Sequence, residues 1–515
     1  MLSERDVRLE KIQKLIDIGK GPYAKTTGRD TSIGDALHSF DAWSRDEKVL
    51  VFAGRLMTKR VHGGMLFADL TDQSGKIQIA LRRDDIGGDL FDEFRDLVDP
   101  GDIIEVSGKL FSTKRGEKSV AVSTWNMLAK AIAPLPEKWH GLQDKEKRFR
   151  QRELDLISNP EVKRIFIIRS KLIASLRQFL NERDFLEVET PVLQPIPGGA
   201  NARPFSTHHN VLDIDLYLRI APELYLKRLL VGGFEKIYEI ARCFRNEGID
   251  YAHNPEFTLI ELYWAYVGKK RFISFMEDML VYIIKRSLGT TTVEGEHGTL
   301  KFEAPFPRVT FRQAIIDACG IDIDEHLEPE SLEKAVKQAG LDISFVNAVG
   351  IGEYYDELYK KTARPSLMGP TWVFDYPVEM KPLASRSVED PRKSAVTQLI
   401  IGGAEIINAY YHELHDPIEQ RKRFMEQQAL VDEGSEEAQK MDEGFLEALE
   451  HGMPPAAGLG MGLDRLTAIL TGAHSLKEVI LFPTLRPQKT GAADTVETEE
   501  HTKSANDTEN VTPQS

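Results

Sequence analysis

Thirty-three residues near the middle of the chain, FEKIYEIARCFRNEGIDYAHNPEFTLIELYWAY, carry the side chains best suited to chemistry. They read as two strands joined by a loop from about Glu247 to Pro255. Successive side chains of a strand point to opposite faces, so Ala241, Cys243 and Arg245 share one face of the first strand. Phe257, Leu259, Glu261 and Tyr263 share one face of the second. The small residues leave open space in front of the arginine. A guanidinium, an aromatic ring and a carboxylate on one open face suit a phosphate, a flat base and a cation, which together describe a nucleotide beside an amine. A plain structural reading fits the same residues: Arg245 and Glu261 as one ion pair, Phe257 as core. A second stretch, GLGMGLDRL from Gly458 to Leu466, is a glycine-rich strand entering a helix headed by Asp464 and Arg465. It is not a dinucleotide fingerprint, because Leu463 stands where the third glycine is needed, and no GxxxxGK[ST] phosphate loop occurs in the chain.

Positioning these groups requires a sizeable scaffold, and 515 residues allow two or three domains. Val7, Ile12, Leu15 and Ile16 fall at helical spacing and stop before Gly19, so residues 1–47 read as an N-terminal helical extension. From 48 to 135 the texture changes to short alternating runs, VLVFAGRL, MLFADL, KIQIAL, IIEVSGKL and KSVAV, which predict a five-stranded barrel of the OB-fold kind. A Pro-containing, basic linker covers 136–160. The main domain spans 161–487 and opens with Ile165, Ile168, Leu172, Leu176, Phe179 and Leu180 on one helical face. Residues of about 271–369 carry no legible chemistry and read as a helical insertion. The tail 488–515 has six acidic and two basic residues and no aromatic, a composition expected to stay disordered.

The bulk numbers narrow the class of function. With 41% hydrophobic and 29% charged residues, no run of eighteen apolar residues and a charged N-terminus, the expectation is a cytoplasmic protein without a membrane span. Two cysteines are too few for a disulfide framework or a cysteine-based zinc site. A net charge of -15 argues against nucleic-acid binding by the chain as a whole, but Lys48 to Arg152 carries 19 basic against 15 acidic residues. That mild basic bias fits RNA contact and a solvated surface equally well.

The FRNEG and HNPEF hairpin resembles motif 2 of the class II aminoacyl-tRNA synthetases, GLGMGLDRL resembles motif 3, and the helix leading to EVETPVL resembles motif 1. The resemblance runs from about Arg8 to Pro487. The strings PIPGGANARPFSTHHN, LRIAPELYLKRLLVGGFEKIYEIARCFRNEG and HSLKEVILFP resemble the lysine-specific members rather than their aspartate and asparagine relatives. The resemblance implies an α+β fold: an antiparallel catalytic sheet flanked by helices, preceded by an all-β OB-fold barrel. It further implies a homodimer through motif 1 around Pro191, with ATP, lysine and tRNA(Lys) as substrates and Mg²⁺ as the metal. Arg245 and Arg465 would be the catalytic cations. Glu247, His253, Asn254, Phe257, Glu405 and Gly462 would join them around ATP. Gly199, Glu223, Glu261, Tyr263, Asn408, Tyr410 and Glu413 would line the lysine pocket, where buried carboxylates suit an ammonium. Phe67, Gln78 and Glu117 would read the anticodon.

Two departures from the family pattern fall within TQLIIGGAEIINAYYHELHDP. The family has two metal-holding glutamates seven apart; Glu405 matches the second, whereas Gln398 stands at the first and supplies an oxygen without charge. One residue more than in the family also separates Asn408 from Glu413. An extra residue reverses every later side chain unless a bulge absorbs it, so a bulge is expected near Tyr411 and His412. The HELH string lacks the four-residue histidine spacing of zinc proteases. Rival readings are an aspartate or asparagine enzyme, disfavoured by the APEL carboxylate; a protein lysyltransferase, which lacks the barrel; and a catalytically impaired tRNA-binding paralogue.

Overall fold

The computed structural model describes residues 2–136, 142, 144–200, 202–295, 298–346, 348, 350–381, 384–432 and 439–488. The chain divides into two units, Met1–Arg148 with Glu153–Asn159, and Phe149–Arg152 with Pro160–Ser515. In the first unit the five alternating runs form β1 (Val49–His62), β2 (Met65–Thr71), β3 (Lys76–Arg82), β4 (Ile103–Ser112) and β5 (Lys118–Ala129), closed into a barrel in the order β1-β2-β3-β5-β4. Closure depends on β1 serving two neighbours. Val49 to Arg55 pairs with β4, Arg55 to His62 pairs with β2, and a bulge between Leu56 and Thr58 bends the strand at the change. Alternation sends Phe52, Leu56, Leu66, Leu70, Ile77, Ile79, Ile104, Val106 and Val120 into the barrel core.

The N-terminal extension packs with this barrel, contributing Leu15, Ile33 and Phe40 to its core. Its first helix, α1 (Glu4–Asp17), starts with a reciprocal capping box between Ser3 and Asp6. Leu15 is buried as its periodicity implies, but Val7 and Ile16 remain exposed. Polar contacts hold the helix instead: Arg8 donates to the carbonyls of Pro100 and Ala131, and Lys11 pairs with Asp99 at 2.6 Å.

The second unit is built on an eight-stranded sheet. Its strands are β6 (Leu186–Glu187), β7 (Lys236–Phe244), β8 (Glu256–Ala265), β9 (Arg308–Thr310), β10 (Thr371–Phe374), β11 (Val396–Ile401), β12 (Ala404–Tyr410) and β13 (Ala456–Gly462). They lie in the order β9-β10-β11-β12-β13-β8-β7-β6, antiparallel except for the parallel edge pairs β9/β10 and β7/β6. One face is covered by α2 (Pro160–Asn181) and α3 (Lys269–Leu288), where Leu172, Leu176, Phe179, Phe272, Met276 and Ile283 pack on Ile260, Leu262, Leu399, Ile407 and Met461. The residues alternating with these point to the other face.

The segment read as a helical insertion is a smaller unit than expected. α3 lies in the main core and β9 forms an edge of the main sheet. Only the helices from Phe311 to Lys361 gather around a second cluster, where Ile315, Leu332, Leu358 and Tyr359 are buried together with Val373, Val396 and Ile400 of the sheet. The amphipathic face of α3 and a three-residue edge strand carry too little signal to be told from an insertion in sequence. The tail beyond residue 488 and part of the linker lie outside the described residues.

Gly108 marks where the barrel is tightest. It sits at a bulge in the β4/β5 pairing, and a Cβ there would lie 2.1 Å from the carbonyl oxygen of Ala121. Gly108→Ala should therefore destabilise the first unit by about 1–3 kcal/mol, the usual cost of overpacking. Urea unfolding followed by the fluorescence of Trp125, a barrel-core residue, measures this, and an unchanged midpoint would contradict the geometry.

Candidate active site

The hairpin β7/β8 pairs Glu239 with Glu261, Ala241 with Leu259 and Cys243 with Phe257. Its open face lines a cleft of about 430 Å³ that also includes Gly199, Glu223, Asn408, Tyr410, Gly458 and Arg465. The guanidinium carbon of Arg245 lies 5.0 Å from the centre of the Phe257 ring, and its buried Nε has no hydrogen-bond partner. Among the described residues Arg245 and Glu261 form no ion pair, so the plain structural reading of this hairpin does not hold. Phe257 is half-buried at the cleft wall beside the small cluster of Ala241, Cys243 and Leu259. From Phe257 to Glu261 the strand advances roughly 13 Å, which separates a guanidinium–aromatic end from an acidic end.

At the acidic end, Glu261 is buried and its nearest hydrogen-bonding neighbour is the Tyr263 hydroxyl, at 3.5 Å. Burial raises the Glu261 pKa well above the ordinary carboxylate value. The charge of Glu223 adds to the shift, and Lys227 and Arg245 oppose it. Glu223 begins the helix α4 (Glu223–Val231), yet its side chain does not cap that helix. It accepts from Lys227 Nζ at 2.6 Å, and the same ammonium reaches Glu413 at 2.9 Å. Gly199 must be glycine here: its φ is +88° and a Cβ would lie 2.9 Å from the Cβ of Glu223.

Two irregularities in the sheet aim the remaining groups. A register shift between Leu399 and Ile400 leaves Ile406 as an extra residue in β12, which brings Glu405 to the cleft side with Asn408 and Tyr410. Further along, Tyr410 pairs with Gly458, but the next bond to β13 is from Glu413 N–H to Ala456 O at 2.9 Å. Three residue steps on one strand thus match two on the other, and the surplus is taken up at Tyr411 and His412. Tyr411 turns away under Lys269, 4.4 Å from its ring centre, and Glu413 returns to face Lys227.

Gln398 departs from the expected site. Its Oε1 accepts from the Tyr376 hydroxyl at 2.7 Å and its amide faces Asn408 Oδ1 at 3.4 Å, so it is buried and does not line the cleft with Glu405. A neutral amide satisfied inside the sheet has no need of a metal.

At the guanidinium end, Asn254 donates to Glu256 O at 2.6 Å, leaving a buried Oδ1 without a partner. Glu247, His253 and Gly462 also line the cleft; the His253 ring is exposed and bonded to Asp250 at 2.8 Å. Arg465 donates to Glu405 O at 3.3 Å from the first turn of α5 (Leu463–Thr471). In the barrel, Phe67 alternates with the core residues Leu66 and Ala68 and is half-buried on the outer face. Gln78 accepts from Ser119 Oγ at 3.1 Å, and Glu117 is exposed in the β4–β5 turn.

Sequence reasoning missed Lys227 and the closeness of Gly458. A Cβ at Gly458 would lie 2.5 Å from both Glu413 Oε1 and the Tyr263 ring. The signal for Lys227 was a glutamate–lysine spacing of four on a helix, which ordinarily marks a surface pair.

Residues 144–486 match the family of tRNA synthetases class II (D, K and N), and residues 50–128 match the OB-fold nucleic acid binding domain. Among curated proteins, the lysine–tRNA ligase of Moorella thermoacetica is 48% identical over 486 residues, 94% of this chain and 98% of the relative. That of Roseiflexus castenholzii is 48% identical over 484 residues, 94% and 98% of the two chains, and that of Clostridium perfringens is 44% identical over 491, 95% and 97%.

Asp464 ties the cleft together. Its buried carboxylate accepts from Thr258 N–H at 2.9 Å and pairs with Arg169 of α2 at 2.5 Å, joining three elements. Asp464→Asn removes the charge opposite Arg169 and should cost roughly 3 kcal/mol of stability in the second unit. Urea unfolding measures it; a loss below a few tenths would mean that the pair is solvent-compensated.

Proposed function

Because the chain belongs to the class II tRNA synthetases, among the lysine–tRNA ligases, we propose a division of labour in its cleft for the reaction of these enzymes. The protein is an ATP-dependent ligase that joins lysine to tRNA. In the first step a lysine carboxylate oxygen attacks the α-phosphorus of ATP and pyrophosphate leaves. In the second a terminal ribose hydroxyl of tRNA attacks the acyl carbon and AMP leaves.

The observation that carries our reading is that one cleft holds both Arg245, whose buried Nε has no hydrogen-bond partner among the described residues, and an undercompensated carboxylate cluster. Arg245 is suited to the α-phosphate, where negative charge grows as the phosphorus is attacked, and Phe257 beside it to the adenine face. Glu247, His253, Asn254 and Gly462 complete the nucleotide end, and Arg465 faces the terminal phosphates. Glu223 and Glu261 take the ammonium groups of lysine; Gly199, Tyr263, Asn408, Tyr410 and Glu413 shape the pocket around them. No side chain among these is set up as a covalent nucleophile, so rate comes from alignment and charge.

Mg²⁺ fits one protein ligand here. Glu405 presents a carboxylate to the cleft, and Mg²⁺ commonly takes one or two carboxylates together with substrate phosphates. Gln398 does not fit, since its oxygen is committed to Tyr376. When bound, the metal would neutralise phosphate charge.

On the barrel, the outward placement of Phe67 supports stacking on an anticodon base, with Gln78 and Glu117 reading base edges. Exposed apolar side chains, Ile167 on α2, Leu186 on β6 and Val192 and Leu193 after it, support a homodimer. Sedimentation should give twice the 58.1 kDa chain mass. No helix among the described residues is long and apolar enough to cross a membrane, and cytoplasmic translation is the setting we propose.

Arg245→Ala should reduce lysine-dependent ATP–pyrophosphate exchange by about a hundredfold or more, as for loss of a transition-state donor. Near-normal exchange would remove Arg245 from the reaction. Glu261→Gln should chiefly raise the lysine KM, by about tenfold or more, with the ATP KM little changed.

A further inference from the structure

The reading of the acidic end as a lysine pocket leaves one resident group without a role, and the inference here rests on that reading. Lys227 is nine-tenths buried, on α4, with its ammonium in the same cleft wall as the carboxylates. It bonds Glu223 at 2.6 Å and Glu413 at 2.9 Å and lies 5.9 Å from the Tyr263 ring centre. Glu223 and Glu413 therefore share one internal cation, and Glu261 lines the same cleft without an ion-pair partner of its own among the described residues. The other titratable and charged groups acting on them are Cys243 on β7, Arg245 just beyond it, Tyr263 on β8 and Tyr410 on β12. Glu239, opposite Glu261 on β7, is already paired with Arg219.

We propose that Lys227 is a positioning residue for lysine recognition: it neutralises Glu413, anchors Glu223, and leaves two carboxylate charges for the two ammonium groups of a lysine. Without it the pocket would hold three negative charges against a ligand bringing two positive ones. Burial would then drive protons onto the carboxylates and weaken their hold on an ammonium. Glu413 is the most dependent member, because its side chain is 2% exposed and Lys227 is its ion-pair partner.

The titration behaviour agrees with this geometry. Burial pushes the Glu413 pKa up to about 7 even with Lys227 opposing the shift. For Lys227, burial works against the ammonium, but Glu223 and Glu413 outweigh it and raise its pKa above the ordinary lysine value. Below that pKa Glu413 is protonated and Lys227 is left to Glu223 alone, so the pocket holds one negative charge fewer for the ammonium groups of the ligand. The lysine KM should accordingly fall as pH rises through neutrality and then level off. Removing Lys227 takes away an opposing charge and moves that fall to higher pH.

Lys227→Met and Lys227→Arg in the full-length enzyme, assayed by lysine-dependent ATP–pyrophosphate exchange from about pH 6 to 9, test this. Lys227→Met should raise the lysine KM about tenfold or more near neutrality and displace its decline by about one pH unit to the alkaline side. The ATP KM should stay within about twofold, because the ion-pair partners of Lys227, Glu223 and Glu413, belong to the acidic end. Lys227→Arg keeps the charge and should keep the parent profile. A merely structural role would lower the folded fraction or kcat without displacing the profile. A Lys227→Met profile that coincides with the parent overturns the proposal, and so does a displaced Lys227→Arg profile should Lys227→Met fail to fold. Failure of the pocket reading looks different: Glu261→Gln would then leave the lysine KM unchanged.

Discussion

Burying carboxylates without enough cations is the constraint on which the rest of the cleft depends. An uncompensated buried charge costs several kcal/mol, so Glu223, Glu261 and Glu413 can be held together only against internal compensation or in readiness for a cationic ligand. Lys227 supplies the first, and in the proposed reading lysine supplies the second. The raised pKa of Glu261 and of Glu413, for which burial is the leading cause, reflects how incomplete the compensation is before the ligand arrives. Discrimination follows from the same deficit. On the proposed assignment, a ligand bringing an aspartate side chain would add negative charge to a pocket already short of positive charge, whereas lysine would relieve the deficit.

The sheet meets a second demand, which is to carry dense packing on one face and an open cleft on the other. Ile260, Leu262, Leu459 and Met461 lie in the helix-covered core, while their alternates Glu261, Tyr263, Gly458 and Gly460 line the cleft. Glycine at 458 follows from this arrangement, because Tyr263 and Glu413 occupy the space that a methyl group would need. Strict alternation alone would not deliver the whole site. The extra residue at Ile406 turns Glu405 inward, and the surplus at Tyr411 and His412 turns Glu413 back toward Lys227. Each irregularity changes which face the following side chain occupies.

These features explain what could be seen in the sequence. The hairpin bearing Arg245, Phe257 and Glu261 was legible because both strands follow a period of two over their whole length. The barrel was legible for the same reason, and Phe67 fell on the outer face that alternation with Leu66 and Ala68 requires. The surplus residue near Tyr411 could be located by comparing the Asn408–Glu413 spacing with the family pattern, whereas the bulge at Ile406 had no such signal. Lys227 was hidden because a glutamate–lysine pair four apart on a helix looks the same on a surface as in a pocket. Only the arrival of Glu413 from a distant strand makes it an internal counterion. The helical insertion was overdrawn because α3 has one apolar face in either setting, and burial against Phe179 and Ile260 is a tertiary fact.

Gln398, buried beside Asn408, and Lys227, in the cleft wall, can be understood together as charge management. A carboxylate at 398 would be buried beside Tyr376 and Asn408 with no cation among its hydrogen-bond partners, and would raise the same desolvation problem that Lys227 relieves at Glu413. An amide accepts from Tyr376 and donates to Asn408 without that cost. The neutral residue therefore keeps Asn408 oriented toward the cleft while withholding negative charge, and the proposed reading leaves Mg²⁺ to Glu405. The departure from the family pattern at this position is thus a local solution to burial.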